Sequence, residues 1–165
     1  MKKFSASGIF WVDGSVRFRT SDLSSYQRIA LRSDGVTAFT GTDHSVFSVT
    51  PPEMFDFLPM KVDPKKAECL MATLVLLYRT KNVIDNIIYW WVNCALSPKC
   101  IYSETNRACF FNNNKWSRYA KCSRFDQSAL SILLYNRFSN IMQIRGQSNK
   151  FRIQRGGSGG MIKTC

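Results

Sequence analysis

Leu70-Met71-Ala72-Thr73-Leu74-Val75-Leu76-Leu77-Tyr78 is an apolar run of buried-strand length, and directly after Arg79-Thr80 the apolar period changes. Val83, Ile84, Ile87, Ile88, Trp91 and Ala95 then fall on one helical face, with Thr80 placed to cap it. A buried strand feeding a long amphipathic helix is an α/β unit, although periodicity alone also allows a helix over 70–78.

Upstream, Ile9-Phe10-Trp11-Val12 reads as a buried strand over 8–12 that ends at Asp13-Gly14-Ser15. A carboxylate where such a strand meets a Gly/Ser turn stands at the rim where α/β sheets bind ligands; Asp at a strand end is also a common turn cap. Ser21-Asp22-Leu23 opens a helix with Leu23, Tyr26, Ile29 and Ala30 at helical spacing, stopped by Asp34-Gly35. Residues 36–40 and 45–50 read as short strands around the turn Gly41-Thr42-Asp43-His44, and Pro51-Pro52 closes the second before a short helix through Glu53, Met54, Phe55 and Phe57.

Downstream, the polar stretch over 97–121, with Asn112-Asn113-Asn114, reads as a long loop of the functional or disulfide-tied kind. Asp126 is the expected N-cap of a helix whose buried face is Ala129, Leu130, Leu133 and Leu134. Beyond Phe138 the pattern weakens, and Gly156-Gly157-Ser158-Gly159-Gly160 holds no packed element. One domain over 1–138 and a basic, Gly-rich, disordered tail over 139–165 are therefore expected.

The chain has 165 residues, of which 45% are apolar and 13% aromatic, enough for a real core. Its formal charge of +12 is uneven: residues 99–165 carry 12 Lys/Arg against Glu104 and Asp126. Met1-Lys2-Lys3 resembles the charged start of a signal peptide, but Phe4-Ser5-Ala6-Ser7-Gly8 is too polar to continue one, and no apolar run is long enough to cross a bilayer. A soluble chain without signal or anchor is expected.

Cys94, Cys100, Cys109 and Cys122 fall close together, while Cys69 and Cys165 stand apart. Zinc is a poor reading, because there is no CxxC pair and His44, the single histidine, is distant in sequence. Two disulfides around the polar loop fit better and place the chain in an oxidising compartment. One arrangement staples Cys100 to Cys109 and joins Cys94 to Cys122; spacing does not fix the connectivity.

Three blocks carry a family likeness: Trp90-Trp91-Val92-Asn93-Cys94-Ala95-Leu96, then Pro98-Lys99-Cys100-Ile101, then Cys122-Ser123-Arg124-Phe125-Asp126-Gln127-Ser128-Ala129-Leu130. They resemble the C-terminal half of the nematode-expanded invertebrate proteins grouped under domain of unknown function 1647 and relatives, which are similar to GT-A glycosyltransferases. The likeness extends upstream in order. Trp11-Val12-Asp13-Gly14-Ser15-Val16-Arg17-Phe18 is similar to the family's Trp-x-Asp-x-Ser strand end, 41–50 to its His-Ser segment, and 72–80 to the segment before its long helix.

The resemblance implies a partial GT-A-like α/β fold, a mixed sheet with flanking helices and a disulfide-tied loop. The nucleotide-binding βαβ units, which in such enzymes precede the Trp-x-Asp strand, are expected to be missing. It implies transfer of a sugar, in the manner of a hexosyltransferase, from a nucleotide-sugar donor to an acceptor hydroxyl on a glycan or protein in the Golgi lumen, with a truncated, inactive relative as the other outcome. Asp13 and Asp126 would be catalytic, and Asp13 would also hold a divalent metal, Mn²⁺ or Mg²⁺. Arg17, His44, Arg124, Gln127 and Ser128 would bind the donor. Two departures stand out: Ser15 replaces the second carboxylate of the usual Asp-x-Asp element, and Ser123 stands where the family pattern usually has His.

Each site residue has a plainer rival role: His44 as a turn residue bonded to Asp43 or Ser45, Asp126 as a helix cap, Arg17 and Arg124 as exposed surface charges. A different function class rests on Lys115-Trp116-Ser117-Arg118-Tyr119, Lys121, Arg124 and Lys150-Phe151-Arg152, where basic and aromatic residues interleave as in single-stranded nucleic-acid binders. No recognised nucleic-acid motif accompanies them. A non-enzymatic polyanion-binding module, or a degenerate partner protein, is thus the alternative to an enzyme.

Overall fold

The computed structural model describes residues 7–101 and 108–154. It is a mixed α/β protein whose centre is β4 (Met71–Tyr78), the strand read from the apolar run. β1 (Gly8–Val12) and β3 (Val36–Phe39) flank it in the order β1-β4-β3, both antiparallel to it. The sheet is therefore antiparallel, not mixed as expected. A second, two-stranded ribbon pairs β2 (Val16–Phe18) with β5 (Phe151–Ile153).

β4 is covered on both faces, which is why its sequence is apolar almost throughout. One face carries Val36, Ala38, Val75 and Leu77 against Val83, Ile87, Leu130, Leu134 and Phe138 of the helices. On the other face Leu74 and Leu76 meet Tyr26 and Ala30 of α1 (Ser24–Arg32) together with Val16 and Phe151 of the ribbon. Between the Thr37–Leu76 and Phe39–Met71 pairs the register slips, so β4 bulges around Thr73.

The helix after β4 starts as expected: the Thr80 side chain accepts a hydrogen bond from the Val83 amide. It runs as α4 (Lys81–Val83), a π-helical turn (Ile84–Ile88) and α5 (Tyr89–Leu96). The wider turn rotates the buried face onto Val83, Ile87 and Cys94, leaving Ile84 and Ala95 exposed against expectation. α6 (Pro98–Ile101) follows at once, and α7 (Phe125–Arg137) packs along the sheet.

Three further sequence expectations change. The stretch 45–50 is α2 (Val46–Val49), not a strand, because the Ser45 hydroxyl caps the helix by accepting from the Ser48 amide. It leads into α3 (Pro52–Phe57), with Pro at the first turn. Residues 139–154, expected as tail, form 3₁₀ turns at Ile141–Ile144 and Ser148–Lys150 and then β5; Ile144 and Phe151 are buried and anchor them. The Gly-rich run lies outside the described residues.

The third change is the disulfide pairing. The bonds join Cys94 to Cys100 and Cys109 to Cys122, instead of the nested Cys100–Cys109 and Cys94–Cys122 pairs. α5 and α6 turn back on each other within six residues, bringing the Cys94 and Cys100 Cα atoms to 5.1 Å, inside disulfide reach. Cys109–Cys122 then closes the loop on itself. Both bonds sit in a cluster with Val46, Met54, Ile132 and Leu133. Two disulfides assign the chain to an oxidising environment, extracellular or secretory. Among the described residues no helix is long and apolar enough to cross a membrane.

Candidate functional site

A cleft of about 510 Å³ opens where the end of β1, the bulge of β4, the segment before α2 and the start of α7 meet. Trp11, Asp13, His44, Arg124, Asp126 and Gln127 all line it, although they come from three separate stretches of the chain. Arg17 and Ser128 do not. The Arg17 guanidinium folds back to donate to the carbonyls of Gly14 and Val16, and the buried Ser128 hydroxyl donates to the Val49 carbonyl.

Asp13 is positioned from both sides. Its amide donates to the Thr73 carbonyl at 2.8 Å, and its carboxylate accepts from the Ser15 amide at 2.7 Å. The turn-cap role and the rim position hold together. Hydrogen bonding from Ser15 keeps this exposed carboxyl below its usual pKa, so it is an anion at neutral pH.

Asp126 is not the N-cap of α7. That place belongs to Arg124, whose side chain makes no capping bond; the Ser123 hydroxyl accepts from the Phe125 amide instead. Phe125 has φ of 39°, an unusual left-handed value for a bulky residue, and Asp126 follows it in the first helical turn. Water reaches the Asp126 carboxyl through the cleft mouth, yet the surrounding protein desolvates it and raises its pKa. The charge of Asp13 adds a smaller contribution to the rise.

His44 is buried, stacked on Phe111 with ring centroids 5.7 Å apart. Its Nδ1 lies 3.4 Å from the Ser45 carbonyl, a long contact. Burial lowers its pKa, the Ser45 carbonyl opposes this, and nearby Arg124 adds to the lowering; the ring is neutral at pH 7. Asp43, also left-handed, forms a 2.7 Å ion pair with Lys115. The Ser45 hydroxyl donates to the Trp116 carbonyl, so the loop closed by Cys109–Cys122 is pinned over His44.

Sequence reasoning missed Thr73, Phe111 and Lys115 as lining residues. Lys115 had a signal, in the basic-aromatic run; Thr73 and Phe111 had none. The Thr73 hydroxyl oxygen is buried and without a hydrogen-bond partner among the described residues.

A divalent cation fits this donor set in one limited way. Among the described residues no three His, Cys, Asp or Glu side chains converge as a metal cage. Asp13, with Asp126 lining the same cleft, offers one or two carboxylates, which is what Mg²⁺ and Mn²⁺ take from a protein when phosphate oxygens and water complete the shell. The cleft thus combines two carboxylates, a neutral imidazole, the Arg124 guanidinium and a helix N-terminus. Compared with protein-family models, characterised proteins and solved structures, the chain matches none of them.

Proposed function

We propose that the cleft receives the diphosphate of a nucleotide sugar and that the protein is a GT-A-like glycosyltransferase of the Golgi lumen, related to the domain of unknown function 1647 family. The observation that carries the reading is the meeting of Asp13, His44, Arg124, Asp126 and Gln127 in one cleft. These five come from three separate stretches of the chain.

In the reaction the acceptor oxygen bonds to the anomeric carbon, while the bond from that carbon to the diphosphate oxygen breaks and its electrons leave with the diphosphate. Asp126 takes the acceptor's proton; a carboxylate with a raised pKa is the better base. Arg124, the positive end of the α7 dipole and the Lys115 ammonium offset the diphosphate charge. Asp13 would hold Mn²⁺ or Mg²⁺, which when bound neutralises the leaving group. The walls formed by Trp11 and Phe111 limit water around the donor sugar.

The test is thermal stabilisation by UDP, GDP and dTDP with and without Mn²⁺, followed by release of nucleoside diphosphate from the matching nucleotide sugars. Mn²⁺-dependent stabilisation that Asp13→Asn removes, and that Arg124→Ala weakens, supports the reading. No stabilisation by any of the three nucleotides overturns it.

One observation favours a second reading. Arg17 and Arg152 stand directly opposite each other across the ribbon, a like-charge pair that a bound polyanion would relieve. That reading predicts binding to single-stranded nucleic acid or a sulfated polysaccharide that falls steeply with salt and with Arg17→Ala.

A further inference from the structure

A second cavity, of about 620 Å³, lies on the far side of the helices, between α3, the π-helical segment and the end of α7. Its chemistry differs from that of the cleft. Trp90 and Phe57 give it two aromatic walls, still 45% and 37% exposed, and Asn82, Asn86 and Arg137 give it planar polar groups. Leu58 and Leu133 close its floor.

The π turn assembles one side of it. In an unbroken α-helix, Asn82 and Trp90 would stand roughly 80° apart around the axis; a π turn adds about one residue and rotates the next part of the helix back by roughly 100°. Asn82, Asn86 and Trp90 consequently face the same cavity. π turns are uncommon and recur at functional sites.

The polar groups are held in advance. Asn86 donates its amide to the Asn82 side-chain oxygen at 2.6 Å, Arg137 donates to the same oxygen at 2.9 Å, and Asn82 donates to the Asp34 carboxylate at 2.7 Å. Arg137 is also paired with Asp34. This network leaves the Asn86 carbonyl oxygen as an acceptor and part of the Arg137 guanidinium as a donor, both without partners among the described residues. Lys61 adds an ammonium that forms no ion pair among them.

We propose that this cavity is a saccharide-binding subsite, taking one pyranose ring. The apolar C–H face of a pyranose stacks on an exposed indole, and its hydroxyls present alternating donors and acceptors to fixed amides and a guanidinium. A purely apolar ligand would strand the Asn86 and Arg137 valences, and a compact anion would leave the two aromatic walls unused. The subsite goes beyond the donor cleft and does not depend on it.

The experiment titrates the full chain with methyl glycosides of glucose, galactose, mannose, xylose and N-acetylglucosamine, and with the disaccharides lactose and chitobiose, followed by amide and indole NMR shifts. Saturable shifts of the Trp90 indole and the Asn86 side-chain amide are expected for at least one sugar. Trp90→Ala should abolish them, Trp90→Phe should keep weakened binding, and Asn86→Ala should weaken it about 2- to 10-fold, the worth of one hydrogen bond. Asp13→Asn, in the other cleft, should leave them unchanged, so failure of the nucleotide reading does not touch this one. Absence of shifts with every sugar overturns the proposal, as does binding that survives in a folded Trp90→Ala variant.

Discussion

Asp126 and His44 illustrate how one cleft sets two groups against the fold's stability. The Asp126 carboxyl has its pKa raised by burial, so the folded state holds its proton more tightly than the unfolded chain does. Stability from this group is therefore greatest in acid and falls as pH rises through the ordinary carboxylate range toward the raised value. Asp126→Asn should raise the Tm at pH 7, modestly because water reaches the group, and the gain should vanish in acid. Under the proposed glycosyl-transfer reading, the same variant should lose its base and with it transfer activity. A Tm lower than that of the parent at pH 7 would remove the desolvation argument. His44 has the opposite sign: its lowered pKa makes the fold less stable as pH falls below the usual imidazole range, and His44→Gln should flatten that slope in chemical denaturation. Of these two residues, the sequence carried the side chain and its place in a turn or helix start. It did not carry the Phe125 strain or the Phe111 stacking, since both depend on where a distant loop lands.

At the scale of elements, legibility followed how local the signal was. β4 and its Thr80 cap were readable because a continuous apolar run and a capping residue are encoded within a few positions. α2 was misread because four residues as short and apolar as Val46-Phe47-Ser48-Val49 look alike in a strand and in a short helix, and Ser45 decided the matter through its own hydroxyl. β5 was hidden because three residues of pairing with β2, at the other end of the chain, leave almost no pattern. Gly146, just before β5, shows that this segment is packed closely: a Cβ there would lie 2.4 Å from the Phe39 ring, which is fully buried. Gly146→Ala should destabilise the protein by about 1–3 kcal/mol in urea unfolding, the usual cost of overpacking a core. The loop closed by Cys109–Cys122 spans a sequence separation of 13 residues. Replacing both cysteines by Ser should cost about 3 kcal/mol by chain entropy and release Phe111 and Lys115 from the cleft. Loss of ligand response in that variant at temperatures where it remains folded would separate the second effect from the first.

For the whole molecule, the distribution of covered and uncovered surface reflects where the layers stop. Helices cover β3 and β4, and α1 with the ribbon covers their other face, but β1 lies at the margin. Phe10 turns inward to the Tyr26 cluster, while Ile9 and Trp11 on the opposite face are 65% and 55% exposed. Among the described residues no strand pairs with the outer edge of β1. An apolar strand with an unpaired edge is a template for further pairing. Trp11 has a second use as a wall of the cleft, so its exposure has a reason that Ile9 lacks. Ile9→Lys should thus separate folding from association. Its side chain leaves no core cavity, so the Tm should stay within the effect of a surface change, about 0.5 kcal/mol. The ammonium would stand on the open face of the edge strand, and light scattering on heating or concentration should set in later than for the parent. Unchanged aggregation, with the Tm preserved, would place the sticky surface elsewhere, with the exposed Tyr89, Val92 and Leu96 of α5 as the next surface to alter.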